Sequence, residues 1–400
     1  MQRSRFAVIS LMLLVAVVAA ACAPAAVSTP QVIKETVVAK ETVVVPGQPQ
    51  VVEKVVTPTI DPNAPKPAAA GSIVINGAGA TFPFPLYSKW FYDYAFVDTA
   101  AKFNYQSIGS GGGIKQITEK TVDFGASDAI LNDDQFKAAP GIQMFPTVAG
   151  AETMVVNLKD DAGNVITAPI KFPYTAVADI YLGKITKWND PVLTAANPDV
   201  KLPAKDIIVV HRSDGSGTTY IFTDYLSSVS AEWKDKVGKA TSVKWPVGLG
   251  GKGNEGVYGT VAQNDGAIGY VELAYALQNK ATLNPLQNKS GEYVVASIES
   301  TQAAMADFGT AMGDKLAISI VDGPGKGSYP IAGYTYILMY MDQQDCTKAQ
   351  KLVDFFTWAY SADGDKDATD LSYVTLPQVI KDQVNAKLAQ ITCQGKPLAK

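Results

Sequence analysis

The sequence runs to 400 residues with 34 basic and 38 acidic side chains, a net charge of −4 and 47% hydrophobic residues. That balance offers no basic field for nucleic acid, and beyond the first apolar run no stretch is long and apolar enough to cross a bilayer as a helix. His211 is the one histidine, so a centre built from several histidines is excluded and neither a metal nor a cofactor is expected.

The chain opens with Arg3 and Arg5 ahead of an apolar run over residues 6–21 that ends in Ala19-Ala20-Ala21. This is the layout of a secretory signal peptide over residues 1–21. Cys22 follows directly, at a position that resembles the lipobox of bacterial lipoproteins, with Ala19 where Leu is more usual. Acylation of Cys22 would anchor the protein to the cell membrane, on the periplasmic or outer side. Residues 23–72 contain eight prolines, no aromatic residue and no leucine, a composition that cannot bury a core. Residues 22–72 are therefore expected to form a disordered, low-complexity tether.

From Ile73 onward short β-like runs alternate with amphipathic stretches. Strands are predicted over residues 72–76, 154–157, 207–211, 267–271 and 334–341, and helices over 86–96, 113–120, 218–227 and 347–360, which is an α/β pattern. About 330 residues exceed one typical core. We expect two lobes joined by two crossings: domain I from residues 73–152 and 335–400, domain II from 153–334. Cys346 and Cys393 lie near the end of a chain that folds outside the cytoplasm, and one disulfide between them is expected.

Three segments share one design, a strand, a run of small or hydroxyl residues, then a helix. They are residues 77–83 (Gly-Ala-Gly-Ala-Thr-Phe-Pro), 109–113 (Gly-Ser-Gly-Gly-Gly) and 214–219 (Asp-Gly-Ser-Gly-Thr-Thr). A helix N-terminus leaves N–H groups without partners and carries about half a positive charge, which suits an anion. The hydroxyls of Thr81, Ser110, Ser216 and Thr218 add donors. Each segment also reads, by itself, as a cap and a turn. Arg212 is the one arginine outside the signal peptide and the one guanidinium available to grip an oxyanion with two hydrogen bonds. Asp214 either pairs with it at the surface or orients it. Asp128 closes Thr-Val-Asp-Phe-Gly-Ala-Ser-Asp over residues 121–128. It either caps a turn or accepts the proton that phosphate, unlike sulfate, keeps at neutral pH.

Further runs complete the pattern: Asn-Tyr-Gln-Ser-Ile-Gly-Ser (104–110), Asp-Ile-Tyr-Leu-Gly-Lys-Ile (179–185), Lys-Trp-Pro-Val-Gly-Leu-Gly-Gly-Lys-Gly-Asn (244–254) and Gly-Ala-Ile-Gly-Tyr-Val-Glu (266–272). With these in order, nearly all of residues 73–400 resembles the PstS-type phosphate-binding proteins of bacterial phosphate ABC transporters. The resemblance implies a two-lobed, type II periplasmic-binding-protein fold whose lobes close over phosphate. It places the contacts on Thr81 and Phe82 through their backbone, and on Ser110, Asp128, Arg212, Ser216, Gly217 and Thr218, with Asp214 as the partner of Arg212. His211 and Ser213 are assigned no contact. The implied partners are free inorganic phosphate and the membrane permease of a phosphate ABC transporter, for a monomer with no catalytic residue.

Two rivals have clear markers. For a nucleotide-handling enzyme, none of the Gly-Lys pairs at 183, 251, 325 and 395 is followed by Ser or Thr, so no P-loop is present. Residues 248–253 match G-x-G-x-x-G, yet Trp245-Pro246 stand where its strand should run. A Ser-His-Asp arrangement would have to use His211. A receptor for sulfate or molybdate would have no use for Asp128.

Overall fold

The computed structural model describes residues 39–43, 50–54 and 71–398. The expected signal peptide, Cys22 and most of the expected tether lie outside the described residues. Within the stretch expected to be disordered, Ala39–Val43 and Gln50–Lys54 pair as an antiparallel hairpin, with Ala39 opposite Lys54 and Val43 opposite Gln50. The expectation of a tether without structure is corrected there. Composition excludes a core, but it does not register two runs carrying β-branched residues on either side of Pro46-Gly47, which is strand propensity flanking a turn signal. The hairpin belongs to a unit, Met1–Ala64, separate from the unit Pro65–Lys400.

In the larger unit the main elements are β1 (Ile73–Gly79), α1 (Phe84–Val97), β2 (Ala101–Ser107), α2 (Ser110–Thr118), β3 (Phe124–Ser127), β4 (Ile142–Asn157), β5 (Ile208–Arg212), α3 (Gly217–Val229), β6 (Leu249–Gly251), α4 (Gly253–Gln263), β7 (Ala267–Glu272), α5 (Leu273–Gln278), β8 (Ala332–Tyr340), α6 (Cys346–Ala359) and β9 (Val374–Thr375). Their strands form one curled sheet in the order β2-β1-β3-β8-β4-β7-β5-β6, with β9 also paired to β4. The pairs β1–β2, β1–β3, β5–β7 and β5–β6 are parallel, while β8 and β7 run antiparallel to β4.

Strand β4 joins the two halves. Up to Ala151 it pairs with β8, and from Glu152 onward it pairs with β7. Glu152 N–H donates to the Ile331 carbonyl at 2.8 Å, just before β8 begins. The result is the two-lobed α/β architecture that the pattern led us to expect. Periodicity caught only the last four residues of β4, because the strand is buried on both faces along most of its length and so shows no alternation.

The core holds two aromatic groups. In the first, Phe103 and Phe355 have ring centroids 4.4 Å apart, beside Tyr94 and Phe91. In the second, Phe222 stacks on Tyr270 at 4.0 Å and meets Tyr181 edge-on at 4.8 Å. Such pairs contribute about 0.5–1.5 kcal/mol beyond area burial. Cys346, at the start of α6, is joined to Cys393 by a disulfide with Cα atoms 5.4 Å apart and a sequence separation of 47. By loop-closure entropy such a crosslink stabilises by roughly 3–4 kcal/mol.

Candidate anion site between the lobes

The second-lobe wall starts where β5 ends at Arg212. Its N–H donates to the Tyr270 hydroxyl at 3.3 Å, and that hydroxyl also bonds Thr219 Oγ1 on α3 at 2.6 Å, which ties strand, sheet and helix together. The Arg212 side chain is buried and forks onto Asp214, Nε to Oδ1 at 2.8 Å and Nη2 to Oδ2 at 2.6 Å, while Nη1 donates to Thr218 Oγ1 at 3.2 Å. Burial works against its charge, but Asp214 more than offsets that and holds the guanidinium above its ordinary value. Burial likewise opposes ionisation of Asp214, yet Arg212 and the Gly253 N–H, 3.1 Å from Oδ1, keep its carboxyl below the usual range. Ser216 caps α3 by accepting from Thr219 N–H at 3.0 Å. In that role it only accepts, so its own proton remains available.

The first-lobe wall is built from α2 and the end of β3. Gly109 precedes α2 at φ 84°, a left-handed conformation natural to glycine, and a Cβ there would run into Asp214 and the Gly215 carbonyl. Ser127, not Asp128, closes the turn after β3: its hydroxyl accepts from Ala129 N–H at 3.0 Å and donates to the Ala129 carbonyl at 2.8 Å. Asp128 is 2% exposed. Its N–H donates to Ser110 Oγ at 3.1 Å, and Ser110 Oγ sits 3.5 Å from Oδ2, the outer limit of a hydrogen bond. Oδ1 has no hydrogen bond of ordinary geometry among the described residues, although the Thr335 hydroxyl, itself without such a bond there, is close enough to act on the carboxyl. Burial pushes this carboxyl up to about 7, against the opposing pull of the Thr335 hydroxyl, Arg212 and Ser110.

The two walls meet. Gly111 N–H on α2 donates to the Gly215 carbonyl at 2.9 Å. At Gly217, the first residue of α3, a Cβ would collide with Asp128 and Ser110, so glycine there admits the other lobe. Asn254 on α4 bridges Thr81 Oγ1 at 2.8 Å and Thr218 Oγ1 at 3.3 Å. The turn after β1 is held from behind, with the Thr81 carbonyl accepting from Tyr275 and the Phe82 carbonyl from Tyr373, both at 2.6 Å. Thr81, Phe82, Ser110, Asp128, Arg212, Ser216, Gly217 and Thr218 are thereby gathered in one buried place, with Asp214 beside Arg212. His211 lies next to it in sequence, but its Nδ1 is 3.0 Å from the Arg212 carbonyl and its ring stacks on Trp245.

Sequence reasoning did not single out Asn254, Tyr275, Tyr373, Glu152 or Glu272. Glu152 and Glu272 face each other across the β4–β7 register. Both Glu152 carboxylate oxygens lack partners among the described residues. Burial, then the nearby Asp128, push Glu152 well above the carboxylate range against the pull of Arg212. Burial does the same for Glu272, opposed first by Tyr373. Asn254 alone had a signal, as the polar residue ending a glycine-rich run.

The profile of a PBP superfamily domain matches residues 62–363. A phosphate-binding protein PstS of Xylella fastidiosa (strain Temecula1) is 46% identical over 329 residues, 82% of this chain and 88% of that relative. The chain belongs to the PstS family. Another PstS, from Haemophilus influenzae, is 46% identical over 322 residues, covering 79% of this chain and 94% of its own. Among solved structures, a phosphate-binding protein from Stenotrophomonas maltophilia matches with a TM-score of 0.59 over 79% of this chain and 94% of that one. At 20% identity that likeness speaks for the PstS fold alone.

Proposed function

We propose that this protein captures free inorganic phosphate between its two lobes and delivers it to the membrane permease of a phosphate ABC transporter. The observation that carries the reading is the meeting of a braced, buried Arg212 with a buried Asp128 whose Oδ1 lacks a hydrogen-bond partner among the described residues. A cation and an acid on opposite walls suit an anion that still carries a proton. The proposed contacts are the backbone of Thr81 and Phe82, the Ser110, Ser216 and Thr218 groups, Gly217 N–H, the Arg212 guanidinium and the Asp128 carboxylate. Of the first-turn N–H groups of α2 and α3, Gly111 already donates to the Gly215 carbonyl and Thr219 to Ser216 Oγ, and others, such as Gly217 N–H, contribute donors. Asp214 orients Arg212. Charge-assisted hydrogen bonds contribute roughly 1.5–3 kcal/mol each, and several suffice for the ~8 kcal/mol of a micromolar complex.

The lobes divide as residues 73–152 with 335–400, and 153–334. The protein works outside the cytoplasm as a monomer, held to the membrane by a lipid on Cys22, and it performs no chemistry on its ligand. Retention of radioactive phosphate by the purified protein in equilibrium dialysis tests the capture, and failure to retain it contradicts the reading. For the anchor, Cys22→Ser is expected to move the protein from the membrane fraction to the soluble one. Unchanged membrane association would contradict the anchor.

A further inference from the structure

The glycine-rich run over residues 248–253 leads into Asn254, a residue that the phosphate contacts above do not use. Asn254 is the second residue of α4 and is fully buried. Its Oδ1 accepts from Glu272 N–H on β7 at 3.0 Å, which settles the orientation of the carboxamide. The amide nitrogen must then face the two threonine oxygens, Thr81 Oγ1 at 2.8 Å and Thr218 Oγ1 at 3.3 Å. Thr81 follows β1 in the first lobe and Thr218 lies on α3 in the second.

A hydroxyl has one proton to give and two lone pairs with which to accept. The Thr81 oxygen accepts from Asn254, and the Thr218 oxygen accepts from both Asn254 and Arg212 Nη1 at 3.2 Å. A donor at each oxygen turns the hydroxyl proton elsewhere, and an oxyanion between the walls needs that proton. An acceptor in the same place would draw both protons toward itself. Because the bridge spans both lobes, it forms in the closed arrangement.

We propose that Asn254 is a positioning residue for anion capture, which orients the Thr218 hydroxyl, a contact already named, and adds the Thr81 hydroxyl as a donor beside its backbone contact, so that both hydroxyls donate to the bound anion as the lobes close. The inference rests on the phosphate reading above. It names a residue that acts through two others, and so predicts coupling between them.

The test is a set of calorimetric phosphate titrations on the full chain, comparing wild type, N254A, T81V, T218V and the two double variants N254A/T81V and N254A/T218V. N254A is expected to weaken phosphate binding about tenfold or more in the wild-type background, the size of one to two lost hydrogen bonds. In each valine background the same change should cost at least about threefold less, since coupled residues are not additive. An equal loss in all three backgrounds, as a purely structural role would give, overturns the proposal, and so does N254A binding as tightly as wild type. Should N254A fail to fold by circular dichroism, N254S is read in the same backgrounds against the same expectation. Failure of the wild type to bind phosphate is a separate result that removes the phosphate reading itself.

Discussion

The second-lobe wall carries its charge in braced form, with Arg212 forked onto Asp214 and Asp214 held by Gly253 N–H. The first-lobe wall instead carries an acid, Asp128, with no hydrogen bond of ordinary geometry to Oδ1 among the described residues and its carboxyl pushed up to about 7. The difference separates two tasks. A fixed, fully charged guanidinium attracts any oxyanion, whereas a buried acid repels one unless a proton lies between them. On the proposed phosphate reading, attraction falls to one lobe and selection to the other, and closure would bring both to one ligand.

Removing the braced cation should have the largest effect. Arg212→Ala deletes several charge-assisted donors and leaves Asp214 unpaired, so phosphate affinity is expected to fall by about a hundredfold or more. A loss under tenfold by calorimetry would show that the second lobe does not supply the attraction. Changing the selecting wall should alter discrimination more than affinity for phosphate. Asp128→Asn offers an amide donor where the acid stood, and the preference for phosphate over sulfate is expected to shrink by about tenfold or more. An unchanged preference in competition would place selection elsewhere.

The fit between the walls can be broken without touching either charge. Gly217→Ala puts a methyl against Asp128 and Ser110, and affinity should fall about tenfold. Gly217 is the first residue of its helix, outside the interior where glycine and alanine differ in helix propensity, so the melting temperature should hold. A drop in both would mean that the substitution damages the fold and not the closure.

The smallest effect concerns pH and the ligand-free protein. Asp128, Glu152 and Glu272 all bind protons more tightly folded than unfolded. Their contribution to stability is therefore complete below the ordinary carboxylate range, about pH 4, and is lost as pH rises, for Asp128 up to about 7. Glu152→Gln keeps the shape without the proton, so its melting temperature should gain on wild type as pH increases. A gap that stays flat with pH would show that Glu152 ionises freely where it stands.

The three strand-turn-helix segments were legible in sequence because their signals are local: glycines, hydroxyls and a strand within a dozen residues. What holds them was not. Tyr275 reaches Thr81 across 194 residues and Tyr373 reaches Phe82 across 291, and no spacing rule links such pairs. Glu152 sits in a strand buried on both faces, where an acid reads from sequence as an interruption. Asp128 reads from sequence as either a cap or a selector, and it is Ser127 that closes the turn. The hairpin within the tether escaped because composition reports what a segment lacks, not what short pairing it can make.

The most direct test is a calorimetric titration of the wild-type protein with phosphate in a large excess of sulfate. The account predicts saturable binding of one phosphate per chain that sulfate fails to displace. No phosphate binding, or ready displacement by sulfate, would contradict it.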